Sequence, residues 1–123
     1  MGDGAIGEDV GNLVPDCVFD LLLPHEALPE LDARLTAAYI GGLREAGWRG
    51  DERVVRLGIC ASAVKDDWLT ARTLADAAAD RQLDYGQGAT IDPHARFRAR
   101  AAGLALCAAW AEEAVRLARI VDV

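Results

Sequence analysis

The chain has 123 residues, a net charge of −7, and 52% hydrophobic but only 6% aromatic residues. That length holds one domain with a real core. The acidic total without a basic face argues against nucleic acid, whose binding depends on phosphate neutralisation. No apolar run reaches the ~18 residues of a membrane span and no signal peptide precedes the chain, so a cytoplasmic location is expected.

Alanine, leucine and arginine are frequent and favour helix, while the few β-branched residues do not alternate. The expected fold class is all-α, with four to five helices in a single helical domain over residues 1–123. The charge is unevenly placed. Residues 1–33 hold eight acids and no Lys or Arg, and the rest carries 13 bases against 12 acids. The acidic third suits a cationic ligand, a basic surface of another polypeptide, or solvent.

The first element spans residues 4–23, GAIGEDVGNLVPDCVFDLLL. Ile6, Val10, Leu13, Cys17 and Leu21 share one helical face. Val14, Val18, Phe19, Leu22 and Leu23 widen that face until it nearly encircles the second half. The reading is a central, buried helix with later helices packed around it. Pro15 predicts a kink or break near residues 12–15, because it removes the N–H that bonds the Gly11 carbonyl. Glu8 and Asp9 read most plainly as first-turn acids.

A connector, PHEALP, leads to a second helix from Pro29 to about Ala46. Leu31, Leu35, Ala38 and Gly42 mark its stripe, with Tyr39 and Leu43 beside it. Gly41-Gly42 predicts a close helix crossing at a propensity cost of ~1 kcal/mol per glycine. Gly47 is a natural C-terminal cap, with Trp48 folded back as a lid. A third, long helix is expected over residues 51–80, with a seam of Val54, Leu57, Ala61, Val64, Trp68, Ala71, Ala75 and Ala78. A bend or break is expected near residues 58–62 or 65–67. Residues 81–90 form a loop. Asp92-Pro93 then caps the last helix, which runs to about Arg119. Its seam reads as Phe97, Ala101, Leu104, Ala108, Ala111, Val115 and Ala118, with Leu106, Trp110 and Leu117 alongside. The third and last helices are expected to pack antiparallel.

Residue types that carry chemistry are sparse. His25 and His94 lack metal-ligand spacing and read as surface or capping residues. Ser62 lies in a helix without a nucleophile elbow. The glycines of residues 4–11 do not follow either phosphate-binding fingerprint. Cys17, Cys60 and Cys107 sit among apolar residues and read as reduced core residues. Glu112-Glu113 lacks the partner histidine of a carboxylate di-metal bundle. Residues 69–76 could open a helix-turn-helix, but no turn glycine or polar second helix follows. No metal site and no catalytic residue is read from this chain.

The stretch Gly2-Asp3-Gly4-Ala5-Ile6-Gly7-Glu8-Asp9-Val10-Gly11-Asn12-Leu13 resembles a segment of the aminoglycoside phosphotransferase-like kinases. In that family an Ile-Asp-Trp-type metal motif is followed by a Gly-rich link and then an Asp that opens a buried helix. Asp9 matches that Asp. The remainder, through Arg119, is similar to the helical end of the lobe. The resemblance covers nearly this whole chain but about the last third of a family member. The His-Gly-Asp-type catalytic loop, the metal-binding Asp, the glycine-rich strand loop and the nucleotide-holding lysine are not in it.

The resemblance implies the C-terminal helical subdomain of a small-molecule kinase. The full enzyme would use ATP and magnesium to phosphorylate a hydroxyl; this chain alone would need neither and would be inactive. It implies that Asp9 braces the catalytic loop. It makes Asp16, Asp20 and Asp67 candidates for contact with a cationic substrate. The partner would be the missing N-terminal part of the kinase. The alternative is a stand-alone helical module that self-associates through the stripe around residues 19–23.

Overall fold

The computed structural model describes residues 4–19, 21–79 and 92–121. Among them the protein is all-α, with five helices and no strand: α1 (Glu8–Phe19), α2 (Leu28–Glu45), α3 (Glu52–Ser62), α4 (Asp67–Ala78) and α5 (Pro93–Ala118). The loop expected at residues 81–90 lies outside the described residues, as do the side chains of Val64 and Trp68.

Local chemistry sets most of the boundaries. The Asp51 carboxylate accepts the Arg53 N–H at 2.9 Å and opens α3. The Asp92 carboxylate accepts from the amides of His94 and Ala95, with Pro93 at the first helical position of α5. At the end of α2, Gly47 adopts φ +93°. Its N–H donates to the Arg44 carbonyl and the Trp48 N–H to the Leu43 carbonyl, which satisfies two otherwise orphaned carbonyls. Trp48 folds back, half-buried, with the Arg44 guanidinium 4.8 Å from its ring centroid.

The expected long third helix is interrupted by a 3-10 turn, Ala63–Asp66, between α3 and α4. Of the kink or break expected near Pro15, the break does not occur: α1 runs through it, and Pro15 is buried. Packing from α2, α3 and α5 holds the helix across the missing hydrogen bond. α1 ends at Phe19; beyond it Leu21 takes φ +57° and turns the chain, and the amides of Leu22 and Leu23 both reach the Cys17 carbonyl.

The core is built from Val10, Val14 and Val18 of α1, Val55, Ile59 and Cys60 of α3, and Ala99, Trp110 and Ala114 of α5. Burying each valine or isoleucine contributes ~1.5–3 kcal/mol. Three seams differ from expectation. In α1 the buried line is Val10–Val14–Val18, and Leu13 is 49% exposed. In α3, Val55 and Ile59 are buried while Ala61 is exposed. In α5 the buried face includes Arg96, Ala99, Arg100, Gly103, Trp110 and Ala114, while Ala101, Ala108, Val115 and Ala118 face outward. The central placement of α1 is as expected, since α2, α3 and α5 all pack on it.

Glycine explains how closely α1 and α3 cross. A methyl on Gly11 would overlap the Ser62 hydroxyl and come within 2.5 Å of the Ile59 carbonyl oxygen. One on Gly58 would overlap the Ile6 carbonyl. The close crossing is therefore here and not at Gly41-Gly42, where an added methyl would meet nothing within 4 Å. α3 also packs most extensively on α5. Arg56, near the start of α3, reaches Glu113, near the end of α5, as an antiparallel pair requires.

Candidate functional site

The densest polar cluster among the described residues forms where α2, α3 and α5 meet. The cap at Asp51 starts α3 and places Arg56 in its second turn. The four-residue spacing of Asp32 and Thr36 puts both on one face of α2. The three-residue spacing of Trp110 and Glu113 does the same on α5.

The Arg56 guanidinium lies between two carboxylates. Its Nε and one terminal nitrogen donate to Glu113, both at 2.9 Å. Its two terminal nitrogens donate to Asp32 at 2.6 and 3.0 Å, and one also donates to the Thr36 hydroxyl at 3.2 Å. These five bonds match the five N–H donors that arginine has. The Thr36 hydroxyl donates to Asp32 Oδ1 at 3.2 Å, and the Trp110 indole N–H donates to Asp32 Oδ2 at 3.0 Å. Asp32 therefore receives four hydrogen bonds, two on each oxygen. The guanidinium also stands 5.4 Å from the Trp110 ring centroid.

The electrostatics follow from that geometry. Hydrogen bonding from Arg56 holds the Glu113 carboxyl below the usual glutamate range. Hydrogen bonding to Glu113 in turn raises the Arg56 pKa. Burial pushes the neighbouring Cys60 thiol up to about 12, so it stays protonated at neutral pH. In this set one cation is shared by two carboxylates; every guanidinium N–H is taken, and the Cys60 thiol is protonated, so it offers a substrate no free guanidinium donor and no thiolate. Its chemical work is to tie three helices together.

Beside the cluster runs an open groove of about 610 Å³ between α2 and α3, with Ala33, Ala37 and Ile40 on its α2 wall and Glu52 and Arg56 opposite. Elsewhere, Lys65 in the 3-10 turn donates to Glu8 at the start of α1, and this contact lowers the Glu8 pKa.

Of the residues singled out in the sequence, Asp9 and Asp16 are not part of this cluster. Asp9 and Asp16 are both exposed on α1, with Leu13 between them on the same outward face. Asp20 lies outside the described residues, and Asp67 opens α4. Asp32, Arg56 and Glu113 have no sequence signature, because each lies alone on a different helix. His25 sits 3.4 Å from Glu26, and His94 is exposed. Cys17, Cys60 and Cys107 form no disulfide, and Cys60 is buried in the core as expected.

Among the described residues no group of three His, Cys, Asp or Glu side chains is placed to hold a metal ion. No described helix is long and apolar enough to cross a membrane. Compared with protein-family models, curated proteins and solved structures, the chain matches none.

Proposed function

We propose that this chain is the C-terminal helical part of an aminoglycoside phosphotransferase-like small-molecule kinase. The observation that carries this reading is the position of the resembling stretch. Its Gly-rich link leads into α1, the helix on which α2, α3 and α5 pack, and Asp9 stands exposed in the first turn. A carboxylate so placed is open to backbone donors from a preceding segment.

The whole enzyme would move the γ-phosphate of ATP to a hydroxyl, a reaction that rests on positioning and charge stabilisation. The described residues do not fit a magnesium site, because the clustered carboxylates Asp32 and Glu113 are already bound to Arg56. Nucleotide and metal would thus be held by the preceding polypeptide. This chain would supply a rigid helical base and an acidic face, including Asp16, toward a cationic hydroxyl substrate.

The test is to translate the coding DNA upstream of Met1 in frame, express the joined product, and assay ATP-dependent phosphorylation of aminoglycoside-type hydroxyl compounds. A catalytic Asp loop running into Gly2 is expected. Asp9→Ala in that product should lower kcat while leaving KM for ATP nearly unchanged. A stop codon closing the frame just upstream, or no activity from the joined product, would overturn the reading.

The exposed Leu22 and Leu23, at 69% and 37%, favour a second reading, a non-catalytic module that associates through this end of α1. Loss of a defined oligomer in Leu22→Asp would support it.

A further inference from the structure

One face of α2 carries an order of which the fold itself uses only the Arg44 end, where Arg44 stacks on Trp48 and pairs with Glu52. Glu30, Ala33, Ala37, Gly41 and Arg44 are spaced 3, 4, 4 and 3 residues apart, so they lie along one line of the helix. Glu30, Ala33, Ala37 and Gly41 are exposed, and a methyl added at Gly41 would meet nothing within 4 Å. The line is symmetric about Ala37. It has small residues in the middle, an acid at one end and a base at the other.

We propose that this face binds a second copy of the chain, with the two α2 helices antiparallel about a two-fold axis at Ala37. Reversing the line maps Glu30 onto Arg44 and Ala33 onto Gly41, so both ends bring opposite charges together. Such self-complementarity is what an isologous interface requires. Glu30 and Arg44 stand about 21 Å apart along the helix, at 1.5 Å per residue. With alanine and glycine at the contact, the axes can approach to roughly 8 Å. Ala33, Ala37 and Gly41 of the line form one wall of the open groove between α2 and α3, so the face borders open space.

Of the two end charges, Glu30 is the lightly held one. Glu30 contacts only its own-helix neighbour Arg34 among the ion pairs of the described residues, at 2.9 Å with both side chains mostly exposed. Such pairs hold weakly. Arg44 already meets Glu52 at 3.1 Å. Glu30 of the second copy would place Arg44 between two carboxylates, the arrangement that Arg56 has in the interior. The inference is independent of the kinase reading, since it rests on α2 alone.

The test is sedimentation equilibrium of the full chain from about 5 to 500 µM. The expected result is a rise from 13.1 kDa toward twice that mass. Ala37→Arg and Glu30→Arg, both at exposed positions, should each weaken the dimer at least about tenfold. Arg44→Glu should do the same, and mixing it with Glu30→Arg should restore association by pairing Arg with Glu at both ends. Should Arg44→Glu fail to fold, Ala37→Cys serves instead: on the two-fold axis it should oxidise to a covalent dimer, and Leu22→Cys should not. A chain that stays at 13.1 kDa throughout overturns the proposal. So does a dimer indifferent to Ala37→Arg and Glu30→Arg but lost in Leu22→Asp.

Discussion

Arg56 and Asp32, 24 residues apart in the chain, join α3 to α2 through two hydrogen bonds of 2.6 and 3.0 Å. The same guanidinium binds Glu113, 57 residues further on, so one side chain closes the angle between three helices. α2 has a single fully buried residue, Leu28; Leu31, Leu35, Tyr39, Ile40 and Leu43 pack on the core only partly buried, and the junction adds to them.

Replacing Arg56 with methionine should therefore cost more than its own contacts. Asp32 and Glu113 would be left facing each other, 15% and 28% exposed. Removing one partner of a fully buried pair costs ~3–5 kcal/mol, and partial exposure reduces this to roughly 2 kcal/mol. Urea denaturation followed by circular dichroism measures it. Asp32→Asn with Arg56→Met should lose less than the two single changes added together.

Acid should loosen the same junction. The folded Glu113 pKa lies below its ordinary value of 4.5, so the folded state binds fewer protons there than the unfolded chain. Its contribution is present above pH 4.5 and falls away as the pH drops through the folded value. Unfolding midpoints taken from pH 7 to 3 should decline below about pH 5. Glu113→Gln should be less stable at pH 7 and flatter over that range.

Alkali acts on Cys60 in the opposite sense. Its folded pKa of about 12 exceeds the ordinary 9.0, so the thiol's contribution is intact below pH 9 and is lost as the pH rises toward 12. At pH 8 the native protein should leave Cys60 unmodified by a maleimide, and urea should expose it. Labelling of Cys60 in the native state at the rate of a free thiol would contradict its burial.

Glycine substitutions should divide by sign. Gly11→Ala drives a methyl into Ser62 and the Ile59 carbonyl, and should destabilise by about 1–3 kcal/mol. Gly42→Ala fills open space on a helix and should stabilise by roughly 0.5–1 kcal/mol. Thermal melts of the two variants compare them directly.

That contrast marks what the sequence made legible. Caps are local chemistry, so Asp51, Asp92-Pro93 and Gly47 identified helix ends correctly. The all-α class followed from composition, and the break before Asp67 from length. The packed faces were harder. In helices rich in alanine, small apolar residues occur on every side, so a heptad fits more than one line. α5 buries Arg96 and Arg100, which a hydrophobic count assigns to solvent. Gly11 and Gly58 look like weak helix residues until the segments that cross them are known, α3 at Gly11 and the link at Ile6 for Gly58, whereas an added methyl at Gly41 or Gly42 meets nothing. The Asp32–Arg56–Glu113 junction joins three helices through single residues, and no window of sequence contains it.

The position of α1 also has a consequence during synthesis. Its valine face is covered by α3 and α5, and α5 begins 74 residues after α1 ends. At ~5–20 residues per second, a ribosome needs roughly 4–15 s to make that stretch. Throughout that interval the nascent chain presents an apolar helix that α2 and then α3 can begin to cover, while the α5 side of its face stays open. A chaperone that grips such helices should hold the emerging chain near Val10, Val14 and Val18, and release it only once Trp110 has left the exit tunnel.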